Sequence, residues 1–120
     1  MNCLFCKITN NELPSYTIYE DEKVKCFLDI QPESNGHLLI IPKKHYQDLM
    51  DIDEQTILHI FYISQKMKTL LENKLKCDGL SLIQNNGSKQ EIKHYHLHLI
   101  PHYKQKQEIK DIEEIYNKLK

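Results

Sequence analysis

Three histidines, His94, His96 and His98, stand at alternate positions near the C-terminal end of this chain. A period of two is the repeat of a β-strand, so the three imidazoles share one face and the residues between them turn into a core. Neighbours on one face of a strand are roughly 6.5–7 Å apart, whereas zinc binds an imidazole nitrogen at about 2.0–2.1 Å. The pattern therefore indicates a row of separate imidazoles rather than one metal bound by all three.

Length and charge limit the possible functions. The 120 residues suffice for one domain, spanning 1–120, with a core of its own. The net charge of −1 gives no bulk attraction to nucleic acid, so we expect no nucleic-acid partner. The 16 cationic side chains are all lysine. A phosphate would therefore be held by backbone N–H groups, histidine, lysine or polar side chains rather than by a guanidinium group.

The hydrophobic pattern predicts an α+β domain. Apolar residues recur at helical spacing over 53–76, with Asp53 as the expected N-cap and Cys77-Asp78-Gly79 as the expected stop. Strands that follow one another with one long helix between them indicate a mostly antiparallel sheet. We predict a helical turn over 3–10, a short amphipathic helix over 109–119, and strands over 16–19, 24–29, 37–42, 80–84 and the histidine segment.

The N-terminal segment carries Cys3 and Cys6 in a CxxC pair. It has no signal-peptide pattern, and no apolar run in the chain is long enough to span a membrane, so we expect a cytoplasmic protein with no membrane partner. In a reducing compartment a CxxC pair is a metal site or a redox pair rather than a structural disulfide. Cys26 and Cys77 have no partner at ligand spacing and are expected to be buried thiols.

Several segments together resemble the histidine-triad (HIT) family, and within it the Hint-like branch of zinc-bearing bacterial-type proteins. The matching segments, in the family's order, are 4–8, 27–30, 36–45, 85–87, Gln90 and the triad itself. The resemblance implies a single HIT domain with one long helix and a short C-terminal helix. It also implies a nucleotide-binding hydrolase or transferase that cleaves nucleoside phosphoramidates or related nucleotidyl compounds. Dinucleoside polyphosphate hydrolases form a sister branch and remain an alternative.

The resemblance assigns catalytic roles to three histidines. His96, in the middle of the triad, would be the nucleophile, His98 would bind the phosphoryl group, and His37 would complete the cluster. The chemistry suits imidazole, because a ring with a pKa of about 6.5 is mostly neutral at pH 7 and can attack phosphorus without activation. The P–N bond so formed is labile to water, which splits one difficult displacement into two easier ones.

Seven further positions match the nucleotide site of the family. Asp29 resembles the carboxylate that binds the ribose hydroxyls. The remaining six are apolar residues that would sandwich the purine and polar residues near the ribose and phosphate, namely Leu4, Phe5, Ile8, Ile30, Asn85 and Gln90.

The loop over 85–90 departs from the Hint pattern. It is shorter than usual, Lys89 stands where a glycine is usual, and Glu91 stands where many relatives carry a small hydroxyl residue. A carboxylate repels an anionic phosphate. The departure would therefore change the choice of substrate and the help given to the leaving group.

Zinc is the expected cofactor. A lone CxxC pair supplies only two of the four ligands that zinc needs. In zinc-bearing relatives the other two are a histidine shortly after the Ile-Pro-Lys segment and the first histidine of the triad. The resemblance thus implies one structural zinc per subunit, held by Cys3, Cys6, His45 and His94. A CxxC redox pair is the alternative, although no thioredoxin-like βαβ pattern surrounds it.

The expected partners also follow from the resemblance. They are a purine nucleotide substrate and a second copy of the chain, paired through the long helix with Ile60 and Phe61 on the dimer face. Two other functions remain open. One is a nucleotide-binding interaction module without catalysis, and the other is a catalytic metal held by His96, His98 and His37.

Overall fold

The computed structural model describes residues 3–120, which form one antiparallel β-sheet with helices on both of its faces. In chain order the elements are α1 (Leu4–Thr9), β1 (Thr17–Glu20), β2 (Val24–Leu28), β3 (Leu38–Pro42), α2 (Glu54–Leu75), β4 (Gly79–Ile83), β5 (Leu97–His102) and α3 (Ile112–Leu119). The strand order across the sheet is β1-β2-β3-β5-β4, and every pair is antiparallel. The predicted α+β class, with one long helix and a short C-terminal helix, is confirmed.

Alternation along the central strands divides the core into two parts. Every residue of β2 and β3 is buried, because helices cover both faces of the sheet. Cys26 and Ile40 face α2 and α3 in the larger part. Phe27 and Leu39 turn to the other face and belong to the cluster that includes residues of α1. The three histidines predicted to be catalytic lie on this second, smaller face.

The long helix α2 begins and ends at local signals. The Asp53 carboxylate accepts a hydrogen bond from the Thr56 N–H at 3.2 Å, which confirms the predicted N-cap. At the other end Lys76 adopts the left-handed region with φ 59°, and its N–H bonds to the Glu72 carbonyl. Gly79, which we expected to belong to the helix stop, is instead the first residue of β4.

The strand that carries the histidines is shorter than predicted. β5 begins at Leu97, so His94 and His96 precede it. The ladder between β3 and β5 ends at the pair Ile40 and Leu97. In the same register the next pair would be Ile41 and His96, but the backbone leaves the ladder there, and the Tyr95 N–H donates to the Tyr46 carbonyl at 2.7 Å instead.

The alternation of side chains nevertheless continues beyond the end of this ladder. Tyr95 and Leu97 lie in the core under α2, as the sequence predicts. His94 and His96 lie on the opposite side, where both rings contact Phe5 edge-on, with ring centroids 5.9 and 5.0 Å from that of Phe5. The shared face of the imidazoles is therefore confirmed, although only part of the row is in a regular strand.

Other features also differ from the sequence expectations. Gly87–Lys89 forms a 3-10 turn within the polar loop. Cys77 is half-buried rather than buried, whereas Cys26 is fully buried as expected. Ile60, which we expected on an intermolecular face, is fully buried in the core, because it points from α2 toward the sheet; its neighbour Phe61 is 43% exposed.

No helix within 3–120 has the length and apolar character needed to cross a lipid bilayer.

Candidate functional site

A cavity of about 880 Å³ is bounded by α1 and by the sheet face that carries the histidines. Its polar lining includes Asp29 after β2, His37 before β3, and His96 and His98 around the start of β5. These residues meet because β3 lies between β2 and β5, and because Leu39 of β3 pairs with His98. A cavity of this volume can hold a small organic ligand.

The hydrogen bond of His96 determines which of its nitrogens is free. His96 Nδ1 lies 2.8 Å from the carbonyl oxygen of His94, and because a carbonyl can only accept, Nδ1 carries the hydrogen. Burial lowers the pKa of His96, so the ring is neutral at pH 7. Its Nε2 then holds an unprotonated lone pair, which is the state that a nucleophilic imidazole needs.

A chain of hydrogen bonds fixes the hydrogens of His37 and His98. The Glu33 N–H donates to His37 Nδ1 at 3.1 Å, so neutral His37 carries its hydrogen on Nε2. That nitrogen lies 2.9 Å from His98 Nδ1, to which it donates. His98 consequently carries its own hydrogen on Nε2 and can donate it to an anionic oxygen. Burial lowers the pKa of both rings, which keeps them neutral at pH 7.

Asp29 lies beside the same pair of imidazoles. Its Oδ2 is 3.5 Å from His37 Nε2, and its Oδ1 accepts a hydrogen bond from the Gln31 N–H at 2.9 Å. Asp29, His37 and His98 bring three possible ligand atoms within 4.8 Å of one another. A metal there would need the Nε2 lone pair of His37, but the Glu33 N–H directs the hydrogen of that ring to Nε2. The hydrogen-bond pattern therefore disfavours a metal ion at Asp29, His37 and His98.

Six of the seven predicted nucleotide-binding residues line the cavity, namely Leu4, Phe5, Ile8, Asp29, Ile30 and Asn85. Phe5 and Ile8 are buried in its wall, whereas Leu4 and Ile30 are 45% and 78% exposed. The apolar side chains around α1 thus offer both a fixed wall and open surface, an arrangement that can enclose a flat ring.

Gln90, the seventh residue, does not line the cavity. Its side chain is buried, and its Nε2 donates to the Gln47 carbonyl at 2.6 Å, which ties the loop before β5 to the segment after β3. Within 3–120 its Oε1 is the buried side-chain oxygen that has no hydrogen-bond partner. The motif alone does not reveal this contact, because its partner is a backbone group 43 residues away.

The lining also contains residues that the sequence did not single out. Phe27, Leu39 and Ile100 each lie two residues from a predicted site residue on the same face, so the period of two could have identified them. The loop after α1 contributes Leu13, Pro14 and Ser15, which no sequence pattern indicated because the loop has no periodicity. Lys89 and Glu91, the departures from the Hint pattern, line the cavity as well.

Cys3, Cys6, His45 and His94 form a separate cluster at the N-terminal end of α1. Their four ligand atoms lie within 4.8 Å of one another. The two histidine Nδ1 atoms are 3.1 Å apart, and the sulfur-to-Nδ1 distances within the cluster include 3.2, 3.3 and 3.5 Å. Ligand atoms at about 2.0–2.3 Å from one tetrahedral zinc are roughly 3.3–3.8 Å apart. The four residues therefore fit a single metal ion.

Contacts around this cluster orient its ligand atoms. His94 Nε2 donates to the Pro42 carbonyl at 2.8 Å, so Nδ1 keeps the lone pair that a metal ligand needs. Burial lowers the pKa of His94 to about 4, so this imidazole carries no competing proton at pH 7. The Cys6 N–H donates to Cys3 Sγ at 3.3 Å, which orients that sulfur. The cluster could hold a metal ion that joins α1 to the segments flanking β3 and β5.

The family model of the HIT domain matches residues 10–105. The chain belongs to the HIT family. Among HIT relatives, an uncharacterized HIT-like protein of Methanocaldococcus jannaschii is 39% identical over 117 residues, which cover 96% of this chain and 90% of that protein. The adenosine 5′-monophosphoramidase HNT1 of Saccharomyces cerevisiae is 42% identical over 101 residues, which cover 82% of this chain and 61% of the yeast protein.

Solved structures show the same HIT fold. A zinc-bound histidine triad family protein from Mycobacterium smegmatis matches with a TM-score of 0.91 and 33% identity, over 99% of this chain and 91% of that chain. A HIT-like protein from Bartonella henselae matches with a TM-score of 0.90 and 34% identity, over 98% of this chain and 94% of that chain. The expected HIT domain is thus confirmed in both sequence and fold.

Proposed function

We propose that this HIT protein is a nucleotide-binding hydrolase that cleaves nucleoside phosphoramidates, or related P–N and P–O–P nucleotidyl compounds, through a nucleotidyl-histidine intermediate. The observation that carries the proposal is the hydrogen-bond pattern of the imidazole row, in which His96 has a free Nε2 lone pair and His98 a free Nε2–H beside one cavity. A nucleophile next to a donor for phosphoryl oxygens is what two-step nucleotidyl transfer needs. The yeast relative named as an adenosine 5′-monophosphoramidase supports this substrate class.

The reaction would proceed in two displacements. In the first, His96 Nε2 forms a bond to the α-phosphorus while the bond to the leaving nitrogen breaks, and that nitrogen takes up a proton and departs as an amine. His98 Nε2–H donates to the phosphoryl oxygen on which negative charge develops. In the second, water attacks phosphorus and loses a proton to solvent, and His96 departs with its electron pair. The His94 carbonyl accepts the Nδ1–H of His96 and stabilises the positive charge that the nucleotidylated ring carries.

The nucleoside would occupy the part of the cavity next to α1. Phe5, Ile8 and their apolar neighbours provide surface for a purine. The Asp29 carboxylate can accept hydrogen bonds from both ribose hydroxyls, and Asn85 can bind a neighbouring polar group. Gln90 would act indirectly, by holding the loop that precedes the imidazole row.

We also propose that Cys3, Cys6, His45 and His94 hold one structural zinc ion per subunit. The separations of the four ligand atoms and the mixed thiolate and imidazole donor set support zinc, and so does the zinc-bound structure from Mycobacterium smegmatis. A site with four protein ligands leaves no position for water or substrate. The ion would therefore stabilise the fold rather than take part in the reaction.

A homodimer completes the proposal, and exposed apolar residues on α2 and the edge strand β4 support it. On α2, Leu58, Phe61 and Tyr62 are 67%, 43% and 52% exposed, and their spacing of three and four residues places them on one face of the helix. On β4, Leu82 is 41% exposed. A second copy seated on this face would remove this apolar surface from water.

We expect Phe61→Glu to convert the dimer into a monomer, because it places a charge in the apolar contact. Sedimentation equilibrium should give about twice 14.3 kDa for the wild type and a single chain mass for the variant. Ile109→Glu is the matched control, since Ile109 is 51% exposed and lies outside α2 and β4. A wild type that sediments as a monomer at micromolar concentration would refute the dimer.

Trapping the intermediate tests the proposed reaction. Wild-type protein mixed with an adenosine phosphoramidate and quenched in alkali should carry AMP on the peptide that contains His96, as detected by mass spectrometry. An adduct on Lys43, Lys44 or Lys89 would contradict the proposal. Binding of AMP without turnover would favour the interaction module, and preferential cleavage of a diadenosine polyphosphate would favour the sister branch.

A further inference from the structure

Glu91 is an unexpected residue in the wall of a cavity that is proposed to hold a phosphate. It lines the cavity together with His96 and His98, and its side chain is exposed. No salt bridge formed within 3–120 neutralises its charge. The carboxylate is therefore available to a charged ligand.

The charge balance of the whole lining is also unfavourable for an anion. Apart from histidine, its ionisable residues are Asp29, Glu33, Glu91 and Lys89, so three carboxylates face one ammonium group. Like charges repel most strongly where water is partly excluded. A substrate that carries a positive charge in addition to its phosphate would offset this repulsion.

Two carboxylates act on different ends of the imidazole row. Glu91 lies in the loop that leads directly into His96 and His98, and all three residues line the cavity. Glu33 lies in the turn before His37, and its N–H donates to His37 Nδ1 at 3.1 Å. Glu91 is thus placed to act on the nucleophile. Asp29 is proposed to bind the ribose, so the leaving group extends away from Asp29, and Glu91 is the carboxylate that it can meet.

We infer that Glu91 selects nucleotidyl substrates whose leaving group carries a positive charge, as in a phosphoramidate formed from one nitrogen of a diamine. The inference rests on the proposed hydrolase function and specifies the substrate class of the same cavity. The displacement is unchanged: His96 bonds to phosphorus, the P–N bond breaks, and the diamine leaves with a proton on the released nitrogen. The same carboxylate disfavours anionic leaving groups, including the nucleotide half of a dinucleoside polyphosphate.

Three matched substrates test the inference. AMP is joined through a P–N bond to putrescine, pentylamine or δ-aminovalerate, which share a four-carbon chain and end in an ammonium, a methyl and a carboxylate group. Without added divalent cations, kcat/KM of the wild type should be highest for putrescine and lowest for δ-aminovalerate. We expect kcat/KM to be about 2- to 5-fold higher for putrescine than for pentylamine, and this preference should decrease as the salt concentration increases.

Glu91→Gln should bring the ratio for putrescine over pentylamine close to one, because it removes the charge that distinguishes the two leaving groups. Glu113→Gln, which removes an exposed carboxylate of α3 outside the cavity, should leave the ratio unchanged. A wild-type ratio near one, or an unchanged ratio in Glu91→Gln, would overturn the inference.

If the wild type hydrolyses none of the three compounds, they remain intact in its presence, and calorimetry can measure the Kd of each one. If the putrescine compound then had the lowest Kd and the δ-aminovalerate compound the highest, charge selection by Glu91 would be supported although the hydrolase proposal had failed. Equal Kd values would overturn both the charge selection and the hydrolase proposal.

Discussion

His96→Ala is expected to lower kcat for an adenosine phosphoramidate by about 10,000-fold or more. The variant loses the one imidazole whose Nε2 lone pair is left free by a hydrogen bond to the His94 carbonyl. His98 cannot take over the attack, because its Nδ1 accepts from His37 and its Nε2 carries the hydrogen. The covalent adduct should disappear together with turnover.

Measuring the affinity for AMP distinguishes a variant that has lost only its nucleophile from one that has lost its fold. His96→Ala should still bind AMP, since the proposed base and ribose contacts come from α1 and from the end of β2. His102→Ala is the control, because His102 is exposed, bonds to Ser81 at 2.6 Å and lies outside the cavity lining. Retention of substantial turnover in His96→Ala, with normal folding, would rule out the proposed intermediate.

Cys3→Ser is expected to abolish the proposed zinc binding and to lower the free energy of unfolding by about 3 kcal/mol. For a domain of this size that loss corresponds to a melting temperature lower by about 10–15 °C. Serine is a poor zinc ligand, and the three remaining residues do not complete a tetrahedral site. Turnover should fall as well, because His94 belongs to the cluster through its side chain and orients His96 through its carbonyl oxygen.

Metal analysis and thermal denaturation check this prediction. The wild type should contain about one zinc per subunit and should melt earlier after treatment with a strong chelator. Cys77→Ser is the control, since Cys77 is half-buried and lies outside the cluster; it should retain the zinc. Wild-type protein that is free of metal and melts at the same temperature as the chelator-treated sample would exclude a structural zinc.

The sequence predicted the fold class and the shared face of the imidazoles because both depend on local patterns. Alternation of histidine with apolar residues assigned faces around His96 correctly, and Asp53 was identified as a helix N-cap from residue type and position. The CxxC pair lies together with two histidines that are distant in the sequence, as the resemblance implied; the four residues are Cys3, Cys6, His45 and His94. In each case the position has a geometric requirement that few residue types meet, so the residue type indicates the geometry.

Predictions failed where a distant part of the chain decides the outcome. The start of β5 depends on a distant partner, because the Tyr95 N–H bonds to the Tyr46 carbonyl rather than to β3. Helical spacing cannot tell which of Ile60 and Phe61 faces the protein's own sheet, because adjacent positions on α2 differ by only a fraction of a turn. The role of Gln90 in nucleotide binding stays a prediction; its side chain bonds to the Gln47 carbonyl, 43 residues away, and lies outside the cavity lining.

The sequence by itself determined which side chains share a face, since the period of a strand is a property of the local backbone. Only the tertiary structure decided which nitrogen of each imidazole carries the hydrogen. The Glu33 N–H donates to His37 Nδ1 and so places the hydrogen of His37 on Nε2. That hydrogen is donated to His98 Nδ1, which leaves the hydrogen of His98 on Nε2. The Pro42 carbonyl accepts from His94 Nε2 and so leaves the lone pair of His94 on Nδ1. The pairing of β3 with β5 brings these partners together, and an imidazole becomes a donor, a ligand or a nucleophile only through the hydrogen bond that its other nitrogen makes.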